Sequence, residues 1–518
     1  MNGLPGRVAR IARETPQRTA LVDGARTIDY GQFWRQAQAF AASLREQGLA
    51  KGDRLALLLP NRIEAAVACY GGWLAGAVVV PLNVQARERD FMPWLRHSGA
   101  RHVVYEQGHR DAELALEQIG YSGGRTVLAD AEPLLPHSTA ADAPEAQEVQ
   151  NGDTALILYT SGTTGAPKGV MLSHANLAAN AEAVVAYLEL GPADRVLSVL
   201  PFYYAYGASV LHTHLISGAC VVLAPNLLFP HLVLQALSQE HATGFSGVPS
   251  TYALLLQHTT LGEYDFSSLR YLTQAGGAMS PQLTQRLRAA LPHPRLFVMY
   301  GQTEATSRIS WLPPEKLDGK LGSVGIPVQG MQWKVLREDG SPAGAGDSGE
   351  VWVQGPNVMQ GYWDNAAATA SVLAEGWLRT GDVGYLDGDG YLFLQGRRSD
   401  MIKTGAHRVH PTDVEEVIAE MPGVTEVAVI GVEDDVLGQV IKAFVVASDM
   451  PPRAEDRIKA HCRARLAPYK IPKHVAFVDA LPRTASGKVR RVQLMEPGSV
   501  NAIGIGHAAP ECAWGKEE

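Results

Sequence analysis

Apolar runs alternate with amphipathic stretches along most of the chain. Phe33, Ala37, Phe40 and Leu44 recur at helical spacing after Thr27-Ile28-Asp29-Tyr30, and Gly48 is placed to close that helix. Residues 54–59 form a short apolar strand after Gly52-Asp53, Pro60-Asn61 opens another helix, and 77–80 and 102–105 read as further strands. The alternation resumes with strands at 154–158, 196–200, 220–223, 272–274 and 296–300 and helices at 175–188, 209–216, 250–256 and 281–290. Such alternation predicts an α/β fold with layers built on largely parallel strands. From 322 to 395 the strands shorten, and turns such as Asp339-Gly340 and Asp387-Gly388-Asp389-Gly390 punctuate them, which predicts a small antiparallel, β-barrel-like part. After Arg397 a smaller α+β pattern begins. The expected organisation is a large domain over 1–396, a small C-terminal domain over 397–495 and a flexible tail over 496–518.

Two uncharged stretches, 65–86 and 196–239, are long enough to cross a membrane. Gly71, Gly72, Gly76 and Pro81 interrupt the first, and Pro201, Pro225, Pro230, His212 and His214 the second, so buried helix–strand alternation is expected and no transmembrane segment. A hydrophobic content of 46% with 19% charged residues fits a globular enzyme, and a net charge of −8 argues against nucleic-acid binding. The four cysteines, Cys69, Cys220, Cys462 and Cys512, are scattered without a paired spacing, so neither a zinc site nor a disulfide framework is expected, and a reducing cytoplasm suits the chain.

Chemistry concentrates in Tyr159-Thr160-Ser161-Gly162-Thr163-Thr164-Gly165-Ala166-Pro167-Lys168-Gly169. An apolar strand precedes this stretch and Ser173 is placed to cap a helix behind it, so strand, loop and helix are expected in that order. Glycines let backbone N–H groups approach a polyphosphate, hydroxyls donate hydrogen bonds, and the lysine adds positive charge. The spacing is not that of a Walker P-loop, because Gly162 and Gly165 are separated by two residues and Lys168 is followed by Gly169. The stretch resembles the phosphate loop of the adenylate-forming superfamily, which holds acyl-CoA synthetases, adenylation domains of peptide synthetases and luciferases. At least six motifs of that superfamily occur in its order between about Gly24 and Val492.

Pro201-Phe202-Tyr203-Tyr204-Ala205-Tyr206-Gly207 piles four aromatics behind a strand, a pattern that also suits plain core packing. By the resemblance it lines the carboxylate pocket, with Tyr204 as the gate where a histidine is customary. Tyr206, Ala208, Ser209, Phe245, Gly247 and Val248 are the implied pocket walls. Gly276-Gly277-Ala278 follows a strand, and by resemblance lies against adenine. In Tyr300-Gly301-Gln302-Thr303-Glu304 the ring can stack on a purine and the carboxylate can hold Mg²⁺, although a Thr-Glu pair also caps helices. The superfamily's Tyr-Gly-x-Thr-Glu pattern implies Glu304 as the Mg²⁺ ligand and Thr303 as a phosphate contact. Within Gly376-Trp377-Leu378-Arg379-Thr380-Gly381-Asp382, Asp382 is the implied ribose ligand. Arg397 is an implied ribose or phosphate contact, Ser399 the implied hinge, and Lys488, in Arg483-Thr484-Ala485-Ser486-Gly487-Lys488, the implied catalytic lysine.

The resemblance implies an ATP- and Mg²⁺-dependent ligase that turns a small carboxylic acid into an acyl-adenylate and then passes the acyl group to a thiol. A mobile small domain would serve the two halves in turn. Free CoA is the expected acceptor because no carrier domain follows; a carrier-protein phosphopantetheine (acyl or peptidyl) is the alternative, and a non-catalytic nucleotide-binding homologue a third reading. Ala205 stands where amino-acid adenylation domains have an aspartate for the substrate ammonium, so an acyl or aryl acid is expected over an α-amino acid.

Overall fold

The computed structural model describes residues 3–129, 134, 149–160, 167–224, 229–258, 261–405, 407–434, 437–447, 453–484 and 488–495. The glycine-rich segment 161–166, which carries Ser161, Gly162, Thr163, Thr164 and Gly165, and the expected tail lie outside these residues. Contacts divide the chain into two compact units, with the division between Leu394 and Gln395.

The first unit holds two sheets. One has seven strands in the order Gly361–Tyr362, Lys168–Ser173, Thr154–Thr160, Val78–Pro81, Arg54–Leu58, His102–Glu106 and Gly124–Leu128. The five from Thr154–Thr160 onward are parallel, and the first two add antiparallel edges. The larger sheet has a parallel run of Arg295–Tyr300, Tyr271–Gln274, Gly244–Gly247, Arg195–Ser198, Cys220–Leu223 and Thr19–Asp23. The expected barrel-like strands, from Ser323–Pro327 to Leu392–Arg397, are joined to this run through Ser310–Leu312 as one continuous path.

Local sequence explains the layers. In the helix Tyr30–Glu46 the Asp29 carboxylate accepts the Gln32 N–H, while Tyr30, Phe33, Ala37, Phe40 and Leu44 are buried on one face. The helix Ile63–Leu74 is buried at every position, which is why its stretch carries so few polar side chains. Glu64, inside it, is 2% exposed and is held by Arg26 and Arg62, each at 2.7 Å. The two uncharged stretches are broken into short helices and strands, and no helix among the described residues is long and apolar enough to cross a membrane.

Two expectations change. The strand–loop–helix order becomes strand–loop–strand–helix, because Lys168–Ser173 pairs antiparallel with Thr154–Thr160 before the helix His174–Leu188 begins. Val170 and Leu172 alternate with Met171 across that strand, a period too short to stand out from a single sequence. The helix expected at 209–216 begins earlier, at Ala205, so the residues after Tyr204 occupy a first helical turn.

The second unit is built on the long antiparallel pair Val424–Asp434 and Gly438–Ala447, with His474–Phe477 added in parallel. Helices Pro411–Ala419 and Ala454–Arg463 place Val414, Ile418, Ile458 and Cys462 in its core.

Candidate active site

The strands Thr154–Thr160 and Lys168–Ser173 bring the two ends of the glycine-rich segment together, with Thr160 opposite Lys168 in register. Lys168 Nζ lies 5.5 Å from the centre of the Tyr362 ring, an attraction of the cation–π kind. The Tyr362 hydroxyl donates to Glu304 Oε1 at 2.9 Å. One tyrosine therefore joins the expected phosphate-loop lysine to the expected metal ligand. Sequence reasoning missed Tyr362, since Gly361-Tyr362 carries no local sign of chemistry.

Glu304 sits in a single 3₁₀ turn, Thr303–Ala305, straight after the strand Arg295–Tyr300. The chain then doubles back through Thr306 and Ser307, whose φ values of 54° and 91° are left-handed. Gly301 makes this return feasible, because a Cβ there would lie 1.8 Å from the Ser307 carbonyl oxygen. Tyr300 donates its hydroxyl to the Asp382 carboxylate, and the Asp382 amide donates to Thr380 Oγ1 at 3.1 Å. The expected purine and ribose contacts are thus neighbours.

Gly276, Gly277 and Ala278 follow the strand Tyr271–Gln274, and Gly276 lies against Val248. Gln274 Nε2 donates to the Gly277 carbonyl at 2.8 Å, but Gln274 Oε1 and Gln302 Nε2 are buried without hydrogen-bond partners among the described residues. Buried amide groups are normally satisfied, so these two atoms are natural contacts for a polar ligand such as a nucleotide.

Beside this region a small cavity is lined by Ala205, Ala208, Ser209 and His212 from one helix, with Asn180 and Thr306 opposite. Tyr204 is half-buried at the start of that helix, its ring edge-on to Tyr203 at 4.7 Å. Tyr206 donates its hydroxyl to the Thr273 carbonyl at 2.9 Å, and its oxygen lies 2.8 Å from Thr273 Oγ1, which reaches Ser246. Phe245 is a correction to the expected pocket walls. It packs with Tyr252, Leu234 and Leu272 in a separate apolar cluster, while Ser246 takes the side facing Thr273 and Tyr206. Neighbouring residues on a strand point to opposite faces, so Phe245 and Ser246 cannot share one. Gly247 lies against Thr251 and Tyr252. His212, also missed, is buried so deeply that its imidazole is pushed down to about 3; it is neutral and does not serve as an acid. Its sign in the sequence is a histidine inside an apolar helix.

Arg397, Ser399 and Lys488 belong to the second unit. Arg397 is exposed at the end of its strand, and Ser399 donates to Asp400 Oδ1 at 3.0 Å in the turn Arg398–Asp400. Lys488 is exposed, its amide donating to Thr484 Oγ1 at 3.1 Å while its carbonyl accepts the Thr484 N–H at 2.7 Å.

No group of three or more His, Cys, Asp or Glu side chains that could hold a metal occurs among the described residues. Glu304, with one oxygen bonded to Tyr362 and the Thr303 hydroxyl beside it in sequence, fits the role of a single carboxylate that holds Mg²⁺ together with substrate phosphates.

Residues 8–363 match the AMP-binding enzyme family and residues 413–488 match the AMP-binding enzyme C-terminal domain. The chain is 38% identical to a feruloyl-CoA synthase from Amycolatopsis sp, over 94% of this chain and 97% of the relative. It is 35% identical to a 2-succinylbenzoate–CoA ligase from Bacillus licheniformis, over 95% of this chain and 99% of the relative. Among solved structures, the o-succinylbenzoate CoA synthetase from Bacillus subtilis with the acyl-adenylate intermediate OSB-AMP is similar at a TM-score of 0.85 and 32% identity, covering 96% of this chain and 99% of that one. The same enzyme with ATP and magnesium ion is similar at a TM-score of 0.82 and 32% identity, covering 95% and 99%. Matched in both units and aligned with its relatives nearly end to end, this chain belongs to the AMP-binding enzyme family.

Proposed function

We propose that this protein is an AMP-forming acid–thiol ligase, an acyl- or aryl-CoA synthetase. The observation that carries the reading is the convergence of Lys168 and Glu304 on Tyr362, close in sequence to the Tyr300–Asp382 bond. ATP and CoA are the proposed co-substrates and Mg²⁺ the proposed ion, in line with the ligands and names of the relatives. A reducing cytoplasm suits the buried free thiols of Cys69, Cys220 and Cys462.

In the first half-reaction a carboxylate oxygen attacks the α-phosphorus of ATP, forming the C–O–P link of the acyl-adenylate as the bond to pyrophosphate breaks. Both reactants are anionic, so the site must cancel their repulsion and hold them in line. Lys168 supplies charge at one end of the glycine-rich segment, whose residues are the proposed phosphate contacts. Glu304 would hold Mg²⁺, which supplies charge neutralisation on the phosphates, and Thr303 would contact a phosphate. Tyr300, Gln302, Gly276–Ala278 and Asp382 would seat the adenosine. Tyr204 would shield the adenylate from water, and Ala205, Ala208 and Ser209 would shape the acid pocket.

In the second half-reaction the thiol attacks the acyl carbon and AMP leaves. Lys488 is the proposed neutralising lysine of the first half only, brought in and withdrawn by movement of the second unit about Ser399. Lys488→Ala is expected to lower adenylation at least a hundredfold while sparing thiolation of a supplied acyl-adenylate. Equal loss in both halves would overturn that role.

The deciding experiment is AMP formation from ATP and Mg²⁺ over a panel of fatty, aromatic and amino acids, with and without CoA. Acid-dependent AMP that rises with CoA is expected. Adenylation indifferent to CoA would point to a carrier-protein thiol, and no acid-dependent AMP would count against the enzyme reading.

A further inference from the structure

The turn that positions Glu304 also buries an arginine. Arg308 is 2% exposed, and its guanidinium carbon lies 4.1 Å from the centre of the Tyr206 ring, one of the expected pocket walls. Its Nε donates to Met299 Sδ at 3.3 Å and its Nη1 to the Ser307 carbonyl at 3.2 Å and hydroxyl. None of these partners is anionic. The other buried arginine, Arg62, is paired with both Glu64 and Glu106. A buried guanidinium without a counter-charge is costly, and cation–π contact with a neutral phenol offsets that only in part.

The placement is imposed rather than incidental. Asn180 Nδ2 and Asn357 Nδ2 each donate to the Arg308 carbonyl at 3.0 Å, and the left-handed Thr306 and Ser307 turn the chain inward just before it. Such backbone is strained and persists where surrounding structure enforces it. Asn180 and Thr306 line the same cavity as Ala205 and Ala208. The charge also lies on the face of the strand away from the proposed ribose ligand. Arg308 contacts Met299, whose neighbour Tyr300 points to the opposite face of the strand and bonds Asp382, the proposed ribose ligand.

Resting on the ligase reading above, we propose that Arg308 makes the acid pocket selective for substrates carrying a second anionic group remote from the carboxylate that is activated. The distal carboxylate would bond the guanidinium and supply its missing counter-charge. An uncharged tail would leave Arg308 unpaired on binding and would be rejected for that reason.

The test is AMP release with matched acids of equal length, one member of each pair ending in a methyl or phenyl group and the other in a carboxylate. The wild-type enzyme is expected to favour the dicarboxylates at least tenfold in kcat/KM. Arg308→Met is expected to cut that ratio at least tenfold, chiefly through the KM of the dicarboxylates, and Arg308→Lys to retain part of it. A ratio unchanged in Arg308→Met, with all acids affected alike, would make the residue structural and overturn the inference. The wild-type ratio decides alone should Arg308→Met not fold. Activity confined to neutral-tailed acids overturns the inference and leaves the ligase reading standing; no AMP from any acid overturns both.

Discussion

Tyr362 holds two groups that the sequence places far apart, Lys168 through its ring and Glu304 through its hydroxyl. The hydroxyl bonds one oxygen of the carboxylate, the proposed Mg²⁺ ligand. Removing it with Tyr362→Phe keeps the ring and its contact with Lys168. A lost hydrogen bond to a charged group is worth about 1.5–3 kcal/mol, so adenylation is expected to fall at least tenfold, with a higher Mg²⁺ requirement. Pyrophosphate release measured against Mg²⁺ concentration checks this; an unchanged Mg²⁺ dependence would assign the bond to stability alone. His214 shows the same economy in the core. Its Nδ1 lies 2.7 Å from the Val210 carbonyl, which can only accept, so Nδ1 carries the proton. Nε2 then accepts from the Tyr271 hydroxyl at 2.6 Å, and the ring stays neutral.

The helix His174–Leu188 begins with a reciprocal cap. Ser173 Oγ accepts the Asn176 N–H at 3.1 Å, and Asn176 Oδ1 accepts the Ser173 N–H at 2.8 Å. Asn176 Nδ2 also donates to the Pro356 and Val358 carbonyls, tying the helix to the segment that leads into Tyr362. Asn176→Ala removes the return bond of the cap and both cross-links, and is expected to cost about 2–3 kcal/mol. Urea denaturation gives the stability change. A loss confined to a few tenths of a kcal/mol would show that water replaces these bonds.

Several buried histidines couple the whole fold to pH. Burial pushes His102, His174 and His214 down to about 4 and His212 to about 3, from an ordinary value of 6.5. Between those values the unfolded chain binds more protons than the folded one, so stability rises with pH across that window. Their contribution is complete above about pH 6.5 and is lost as pH falls through the window toward the folded values. Glu64 acts in the same direction at lower pH. Burial alone would raise its carboxyl, but the bonds from Arg26 and Arg62 outweigh it and the net shift is downward. The urea midpoint is therefore expected to fall steadily below pH 6.5, before ordinary carboxylates titrate; a flat profile down to pH 5 would contradict it.

The sequence by itself determined the alternation of elements, the split into a large and a small unit, and the family, because each rests on residues adjacent in the chain. Hydrophobic period and cap chemistry act locally, and motifs such as Tyr300–Glu304 are contiguous. Only the tertiary structure decided what meets across long separations. It placed Tyr362 between Lys168 and Glu304, turned Ser246 rather than Phe245 toward Tyr206, and set Arg308 over the Tyr206 ring. The reason is physical. A strand exposes alternate residues to opposite faces, and a shift of one residue exchanges them, so facing follows from register and sheet order. Those are settled by the packing of the whole unit, as is the burial that leaves Arg308 without a counter-charge among the described residues.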